Sequence, residues 1–407
     1  MRKLTIIIFL LIASFFTLDY HSKASALYVK ANSDVQLYDT IAGDTVRVGT
    51  LLSGQSMKLI NEDEQYYFIH FGNGTAFIKK SGKVEVSGKS PSTTSTQNSK
   101  KLNKVIITTR QTVVYDSVKE SKKAFAILNR NVRYPIISEE ENWYTISLGN
   151  KVGYIYKENT KVDSGVPVLM YHHMLRDEEN VRFRDNNMVI SVESFEEQMQ
   201  YLHKQGYRTI LLQELEKYLN SQQNLVGKIA VITFDDGMLS SEKYAYPILK
   251  KFDFKATHFL IGYRTRDKNV SFHPDSLQYF SFNTMKETND IFDFQHHTYN
   301  MHVRDRETML PFLIFKSFEE VQTDLLRGKK RIGEHHQGED AVKYLAYPWG
   351  QFDQKTIEAA KATGIKLAFT TETGYVKIGD SPYQLKRQGV GPRHSLKDFI
   401  MKVNGSY

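Results

Sequence analysis

Cysteine is absent from all 407 residues. That excludes disulfides, Cys-ligated zinc, iron–sulfur clusters and a thiol nucleophile, and it removes the residue a lipoprotein anchor needs. Any metal must sit on histidines and carboxylates. Beyond the N-terminal segment, no apolar run approaches the roughly 20 residues that cross a bilayer. No stable membrane span is therefore expected in the mature chain. Basic stripes with interleaved aromatics are also missing, so nucleic acid is not an expected partner. What is present is 41% hydrophobic and 25% charged residues, with 24 Tyr and 24 Phe. This composition rules out a wholly disordered chain and supplies ample core material. The length suggests two or three domains.

Arg2 and Lys3 precede an apolar run over residues 6–18, and Ala24-Ser25-Ala26 offers a small-x-small exit. A basic start, a short greasy core and a small-residue exit make a secretory signal peptide over residues 1–26, cleaved after Ala26. The alternative is an uncleaved anchor. The mature protein is expected to be secreted, extracellular or cell-wall associated.

The next stretch repeats itself. Val35-Gln36-Leu37-Tyr38-Asp39-Thr40 returns as Thr112-Val113-Val114-Tyr115-Asp116-Ser117, and Gln65-Tyr66-Tyr67 as Asn142-Trp143-Tyr144. Phe71-Gly72 returns as Leu148-Gly149. The offset is 77 positions each time, without a gap, which marks a duplicated unit. Short runs of Val, Ile, Thr and Tyr broken by Gly, Asn and Asp predict strands and tight turns, hence small β-barrels over residues 27–86 and 104–163. Their Leu-Tyr-Asp and Val-Tyr-Asp strands, and the closing Ala-Phe-Ile and Gly-Tyr-Ile strands, resemble bacterial SH3-like domains. The resemblance implies cell-wall attachment; simple spacers are the alternative. Residues 87–103 between them read as a solvated Ser/Thr/Lys linker. Residues 27–164 hold 19 Lys or Arg against 14 Asp or Glu, so much of the formal +8 charge sits here.

From Val166 the punctuation changes. Apolar strands are predicted over residues 166–171, 229–234, 256–261, 291–294, 345–347 and 366–370. Helices are predicted between them, two opened by the boxes Ser194-Phe195-Glu196-Glu197 and Ser317-Phe318-Glu319-Glu320. Alternation of this kind predicts an α/β fold, a distorted (β/α) barrel over residues 164–407 with its chemistry at the C-terminal strand ends.

Four strand ends carry reactive side chains. Thr233-Phe234-Asp235-Asp236-Gly237 places two carboxylates at a rim, where they repel unless a cation holds one. His297 and His302, in Gln295-His296-His297-Thr298-Tyr299-Asn300-Met301-His302, splay apart on a helix and converge only if the segment is a loop. Two imidazoles and a carboxylate make an open three-ligand site that suits Zn²⁺, with Co²⁺ or Ni²⁺ possible. His296 reads as a neighbour of that site. Tyr171-His172-His173 ends the first barrel strand, and Tyr347-Pro348-Trp349-Gly350 forms an aromatic turn.

Together these motifs resemble the polysaccharide deacetylases (NodB-homology, carbohydrate esterase family 4), and most closely the poly-N-acetylglucosamine deacetylase branch. The resemblance covers residues 166–390. It implies a general base at Asp235, a divalent metal on Asp236, His297 and His302, and a catalytic acid at His172. It also implies oxyanion or substrate contacts from Trp349, Pro348 and Tyr347. The chain departs from the family where Ala346 replaces an Arg that steadies the base; Arg387 is the expected substitute. A C-terminal Leu-x-His motif is missing, which leaves His172 as the acid and His394 as a second candidate. The implied activity is hydrolysis of N-acetyl groups on a cell-wall or exopolysaccharide glycan, by a chain expected to be monomeric. The alternatives are a non-catalytic cell-wall-binding protein and, third, a glycoside hydrolase using Asp235 and Asp236. Adjacent carboxylates cannot easily flank a glycosidic bond at the required ~5–9 Å.

Overall fold

Every strand of the first repeat has a counterpart in the second. The computed structural model describes residues 26–88 and 104–407; the signal-peptide reading and most of the linker lie outside them. The first unit comprises β1 (Tyr28–Ala31), β2 (Val35–Ile41), β3 (Asp44–Leu51), β4 (Ser56–Glu62), β5 (Tyr66–Phe71), β6 (Gly74–Lys79) and β7 (Val84–Ser87). The second comprises β8 (Val105–Thr108), β9 (Thr112–Tyr115), β10 (Ala124–Leu128), β11 (Arg133–Pro135), β12 (Ser138–Glu139), β13 (Trp143–Leu148), β14 (Lys151–Tyr156) and β15 (Thr160–Val162). Alternation drives them: in β2, Val35, Leu37, Asp39 and Ile41 face inward while Gln36, Tyr38 and Thr40 face out.

The units are not two self-contained barrels, as the sequence led us to expect. Their strands join in one sheet, and β13-β14-β9-β10-β3-β2-β6-β5 closes on itself as an eight-stranded ring. Left alone, β3 and β10 would each expose an unpaired edge, and pairing them satisfies both rows of backbone groups. The pairing is self-equivalent. Thr50 faces Ile127, its own counterpart 77 positions on, while Gly49 faces Leu128 and Leu51 faces Ala126. The second closure, Phe71 against Leu148, again joins equivalent residues. The hydrogen bonds Leu52 N–H to Phe125 O and Asn129 N–H to Val48 O exchange under the same operation. A pseudo-twofold axis therefore runs through the ring.

The third region forms β16 (Val168–Tyr171), β17 (His173–Leu175), β18 (Val189–Ser191), α1 (Val192–Lys204), β19 (Tyr207–Thr209), α2 (Leu212–Leu219), β20 (Lys228–Phe234), α3 (Tyr246–Lys251) and β21 (Ala256–Leu260). Then come α4 (Phe282–Thr288), β22 (Phe292–His296), α5 (Phe312–Phe315), α6 (Phe318–Gly333), β23 (Tyr344–Ala346), α7 (Gln354–Ala362), β24 (Leu367–Thr373), β25 (Leu385–Gly389) and α8 (Leu396–Asn404). Parallel strands run β16-β25-β24-β23-β22-β21-β20, and β16 pairs back onto β20 from Val168↔Val231 to Tyr171↔Phe234. The (β/α) barrel is thus closed and distorted, with β19 beside the first half of β20. β20 is buried from Ile229 to Phe234 because both of its faces are covered.

The β-module packs against the bottom of this barrel. Asn224, just before β20, donates to Phe71 O (2.6 Å) and accepts from Asn73 N–H (3.1 Å). Arg133 bonds Asp163 (3.1 Å) and the Gly227 carbonyl (2.9 Å). Leu212, Leu215, Leu225 and Val226 share one core with Phe71 and Tyr134. These contacts meet the N-terminal end of β20. Seven residues at about 3.3 Å each leave the opposite rim roughly 20 Å away.

Asp39, on β2 at this junction, titrates unusually. It is 7% exposed; Oδ1 accepts the Thr40 N–H (2.8 Å) and Oδ2 has no partner. Burial pushes its pKa up to about 7 from 3.8, against partial relief led by the Thr40 N–H. A folded-state value above the unfolded one means its contribution is fully present below pH 3.8 and is lost as pH rises through about 7. Urea unfolding should accordingly lose about 2–3 kcal/mol between roughly pH 5 and pH 8 from this group. Asp39→Asn should flatten that dependence, and an unchanged slope would assign it elsewhere.

Candidate active site

β20 ends at Phe234, so the next two residues emerge at the C-terminal rim. Asp235 is held at once by its backbone, whose N–H donates to Tyr171 O (2.9 Å). Asp236 then takes a left-handed turn with Gly237 (φ 72° and 76°). Asp tolerates that conformation better than most residues, and at Gly237 an added Cβ would sit 3.0 Å from Leu260. The turn brings the Asp236 carboxylate to the mouth, beside the segment that leaves β22.

That segment is a loop. His297 N–H donates to Leu260 O (2.8 Å), and Thr298 is also left-handed (φ 68°), which is strained for a β-branched residue. The Asp324 carboxylate, from the buried face of α6, accepts Tyr299 N–H and Asn300 N–H, each at 2.8 Å. This double contact holds the span between the two histidines. His297 Nδ1 is 2.7 Å from Ala346 O, so that nitrogen donates and Nε2 is left facing the mouth.

His297 Nε2 lies 3.4 Å from Asp236 Oδ1, and His302 Nε2 lies 3.3 Å from the same oxygen. One donor atom from each of the three residues falls within 4.8 Å of the others. Asp236 Oδ1 is buried without a hydrogen-bond partner. An orphaned carboxylate oxygen between two imidazole nitrogens is costly unless a cation sits among them, and N₂O is a donor set that divalent zinc, cobalt or nickel accept. The residues fit a divalent ion. Burial lowers the His302 pKa to about 4, with His297 adding to it, so its ring is neutral and able to ligate at pH 7. For His297, burial acts downward most strongly, but Asp236, Asp235 and the Ala346 carbonyl together outweigh it and the net direction is up.

Asp235 stands beside this cluster, fully enclosed. Arg387 from β25 grips it with two parallel bonds, Nη1 to Oδ1 (2.8 Å) and Nη2 to Oδ2 (2.7 Å). Arg387 is itself 0% exposed and also donates to Thr370 O (2.9 Å). Burial would raise the Asp235 pKa, but the guanidinium overcomes it and holds the carboxyl at about 2. With Ala346 too short to reach, the Asp235 carboxylate is steadied from another strand. His172 Nε2 is 3.9 Å from Asp235 Oδ2. Its burial lowers its pKa despite the two nearby carboxylates. Trp349 takes a left-handed turn (φ 55°) and lays its ring 4.3 Å from that of His302, with Arg304 4.4 Å over the indole.

Other expected residues fall elsewhere. The Tyr347 side chain does not face the mouth. It is fully buried, stacked on Phe352, and its hydroxyl donates to Tyr383 O (3.1 Å). Pro348 is buried too and has no N–H to offer, so neither side chain is placed to touch substrate. The reason is packing: the turn points its first two residues into the core and only Trp349 outward. His173 turns to Ser240 (2.7 Å). His296 packs against Gly328, where an added Cβ would meet its Nε2. His394 accepts the Gly391 N–H (3.0 Å) at the approach to α8. Asp324 was not anticipated. Its signal was there as an acid on the apolar stripe of α6, with Val321, Leu325 and Ile332.

Known proteins resemble the barrel region of this chain. A polysaccharide deacetylase family model matches residues 222–368. YxkH of Bacillus subtilis, named after the same family, is 28% identical over 240 residues, covering 59% of this chain and 76% of its own. A poly-beta-1,6-N-acetyl-D-glucosamine N-deacetylase of Staphylococcus aureus is 27% identical over 203 residues, 49% of this chain and 67% of its own. The solved structure of IcaB from Ammonifex degensii superposes with a TM-score of 0.51 at 28% identity, covering 60% of this chain and 98% of that one. The barrel that carries Asp235, Asp236, His297 and His302 is therefore a polysaccharide deacetylase domain of the NodB-homology type, related to the poly-N-acetylglucosamine deacetylases.

Proposed function

We propose that the chain is a secreted, metal-dependent deacetylase that hydrolyses N-acetyl groups of an amino-sugar polymer and releases acetate. The observation that carries this reading is the pairing of a locked, ionised Asp235 with an Asp236–His297–His302 cluster whose shared oxygen lacks a partner. The named activity of the Staphylococcus aureus relative points to poly-N-acetylglucosamine as one substrate class; peptidoglycan, the other, rests on the family resemblance of the sequence alone. The β-module, read as SH3-like, would hold the enzyme at the wall or matrix. Secretion rests on the basic and apolar start of the sequence.

Asp236, His297 and His302 would hold a divalent ion, zinc in the first instance, whose positive charge would acidify a water and polarise the acetyl carbonyl. Asp235 is ionised throughout the physiological range and takes a proton from the attacking water. Arg387 fixes both of its oxygens, so the carboxylate cannot swing away during that transfer. The Trp349 backbone N–H is assigned to the oxygen that becomes negative, in the manner of an oxyanion hole. His172 delivers the proton without which the amine leaves poorly. Burial lowers its pKa, which makes the charged ring a readier proton donor.

Acetate release from poly-N-acetylglucosamine and from peptidoglycan, with and without chelator, tests the proposal. His297→Ala should reduce bound metal well below one equivalent per chain and abolish release. Full metal content in that variant would overturn the ligand assignment.

A further inference from the structure

The second repeat carries an aromatic surface that the chemistry at the barrel does not use. Trp143 and Tyr156 face each other across β13 and β14, with ring centroids 3.8 Å apart. Tyr115 abuts both edge-on at 5.9 and 6.0 Å. Lys122 stands over Tyr115 and Trp143 at 5.7 and 6.0 Å. An open groove of about 700 Å³ runs along Trp143, Tyr156 and Lys122, rimmed by Glu120, Asn142 and Glu158. Those three side chains are exposed, and neither glutamate belongs to an ion pair among the described residues. The remaining charge on the rim, Lys157, is engaged by Glu139 at 3.3 Å.

The duplication supplies an internal control. In the first unit the same strand pair forms with Tyr66 opposite Lys79. Thr45, Gly43, Gln65 and Ser81 occupy the positions of Lys122, Glu120, Asn142 and Glu158. The fold is therefore built without the stacked aromatic pair and without either carboxylate. The first unit instead gathers Tyr38, Tyr66 and Phe68 around Phe77, so the Trp143–Tyr156 pair with its two carboxylates is particular to one copy, which a purely architectural role does not explain.

Stacked, part-exposed aromatic faces suit the C–H face of a pyranose ring, and they attract an ammonium group as they attract Lys122. The unengaged carboxylates of Glu120 and Glu158 complement the same charge. The reaction proposed above turns acetamido sugars into ammonium-bearing ones. We infer that the Trp143–Tyr156 groove is a second glycan site, which holds the partly deacetylated amino-sugar strand. This rests on the proposed function and extends it, since the enzyme would stay on the polymer it has begun to convert.

The sequence has two tryptophans, Trp143 and Trp349, so a Trp349→Phe chain reports on the groove alone. Titrating it with a partly N-acetylated β-1,6-glucosamine oligomer should change Trp143 emission saturably. Adding the exposed substitutions Glu120→Lys and Glu158→Lys should weaken the apparent affinity at least about fivefold, by loss of paired charge. Acetate release by the unaltered chain from the same oligomer is measured alongside. Release with an unresponsive Trp143 would overturn the second site and leave the activity standing. A responsive Trp143 with no release would uphold the groove and sink the activity. An equal response to a neutral glucose oligomer would overturn the amino-sugar assignment.

Discussion

Asp235→Asn should lower acetate release by about 10²–10⁴-fold, the range that a positioned general base contributes. The amide is nearly isosteric but cannot take the proton. Its Oδ1 can still accept from Arg387, so the rim should keep its shape. Asp236, His297 and His302 are untouched, and metal content should stay at the level of the parent chain. The informative result is lost release with metal retained, measured on one preparation whose circular dichroism matches the parent. Activity within a few fold of the parent would remove Asp235 from the base role, and loss of metal would make it a ligand or a scaffold instead.

Arg387→Met carries the largest expected change in stability. Asp235 is 2% exposed and Arg387 is fully enclosed, so removing one partner leaves a buried charge without compensation. Losses of about 3–5 kcal/mol are usual in that situation. Activity should fall as well, because the carboxylate loses the fork that orients it. Combining Arg387→Met with Asp235→Asn removes both charges, and the double variant should be less destabilised than the two single changes added together. A coupling of about 2 kcal/mol or more in urea unfolding supports the pair. Strict additivity would mean that the fork is not energetically coupled and that Ala346 has no replacement on β25.

Much of the barrel was legible because its strands are short apolar runs. Residues 229–234 were predicted as a strand and Lys228–Phe234 is one; the Ser317 box caps α6 as predicted, its Oγ accepting the Glu320 N–H. The helix expected to start at Ser194 is capped three residues earlier by Ser191, because β18 runs directly into α1 and Ser194 is itself the residue whose N–H is capped. β25 was missed for a physical reason. Its Lys-Arg-Gln core reads as solvated, and only the ion pair with Asp235 makes Arg387 acceptable inside a barrel. Asp324 was hidden in the same way, since its partners are backbone N–H groups that leave no trace in side-chain spacing. The approach of His297 and His302 could be anticipated from their place after a strand. What fixes it, the Ala346 carbonyl and the left-handed Thr298, could not.

The repeats were plain in the sequence, but their relation was not. Small strands suggested two closed bodies, whereas the edges of β3 and β10 complete each other. No single-residue property encodes that choice; it follows from where two unsatisfied backbone edges can meet.

That self-equivalent ring behaves as a symmetric dimer written into one polypeptide. Two separate subunits would associate according to their concentration and separate on dilution. A covalent tether replaces that dependence with a fixed local concentration, on the millimolar scale for short flexible connections. The ring should accordingly stay closed at any dilution. Each half is also free to diverge, since a change in one copy is no longer imposed on the other. The Trp143–Tyr156 groove with its two carboxylates, absent from the first unit, is what such freedom permits.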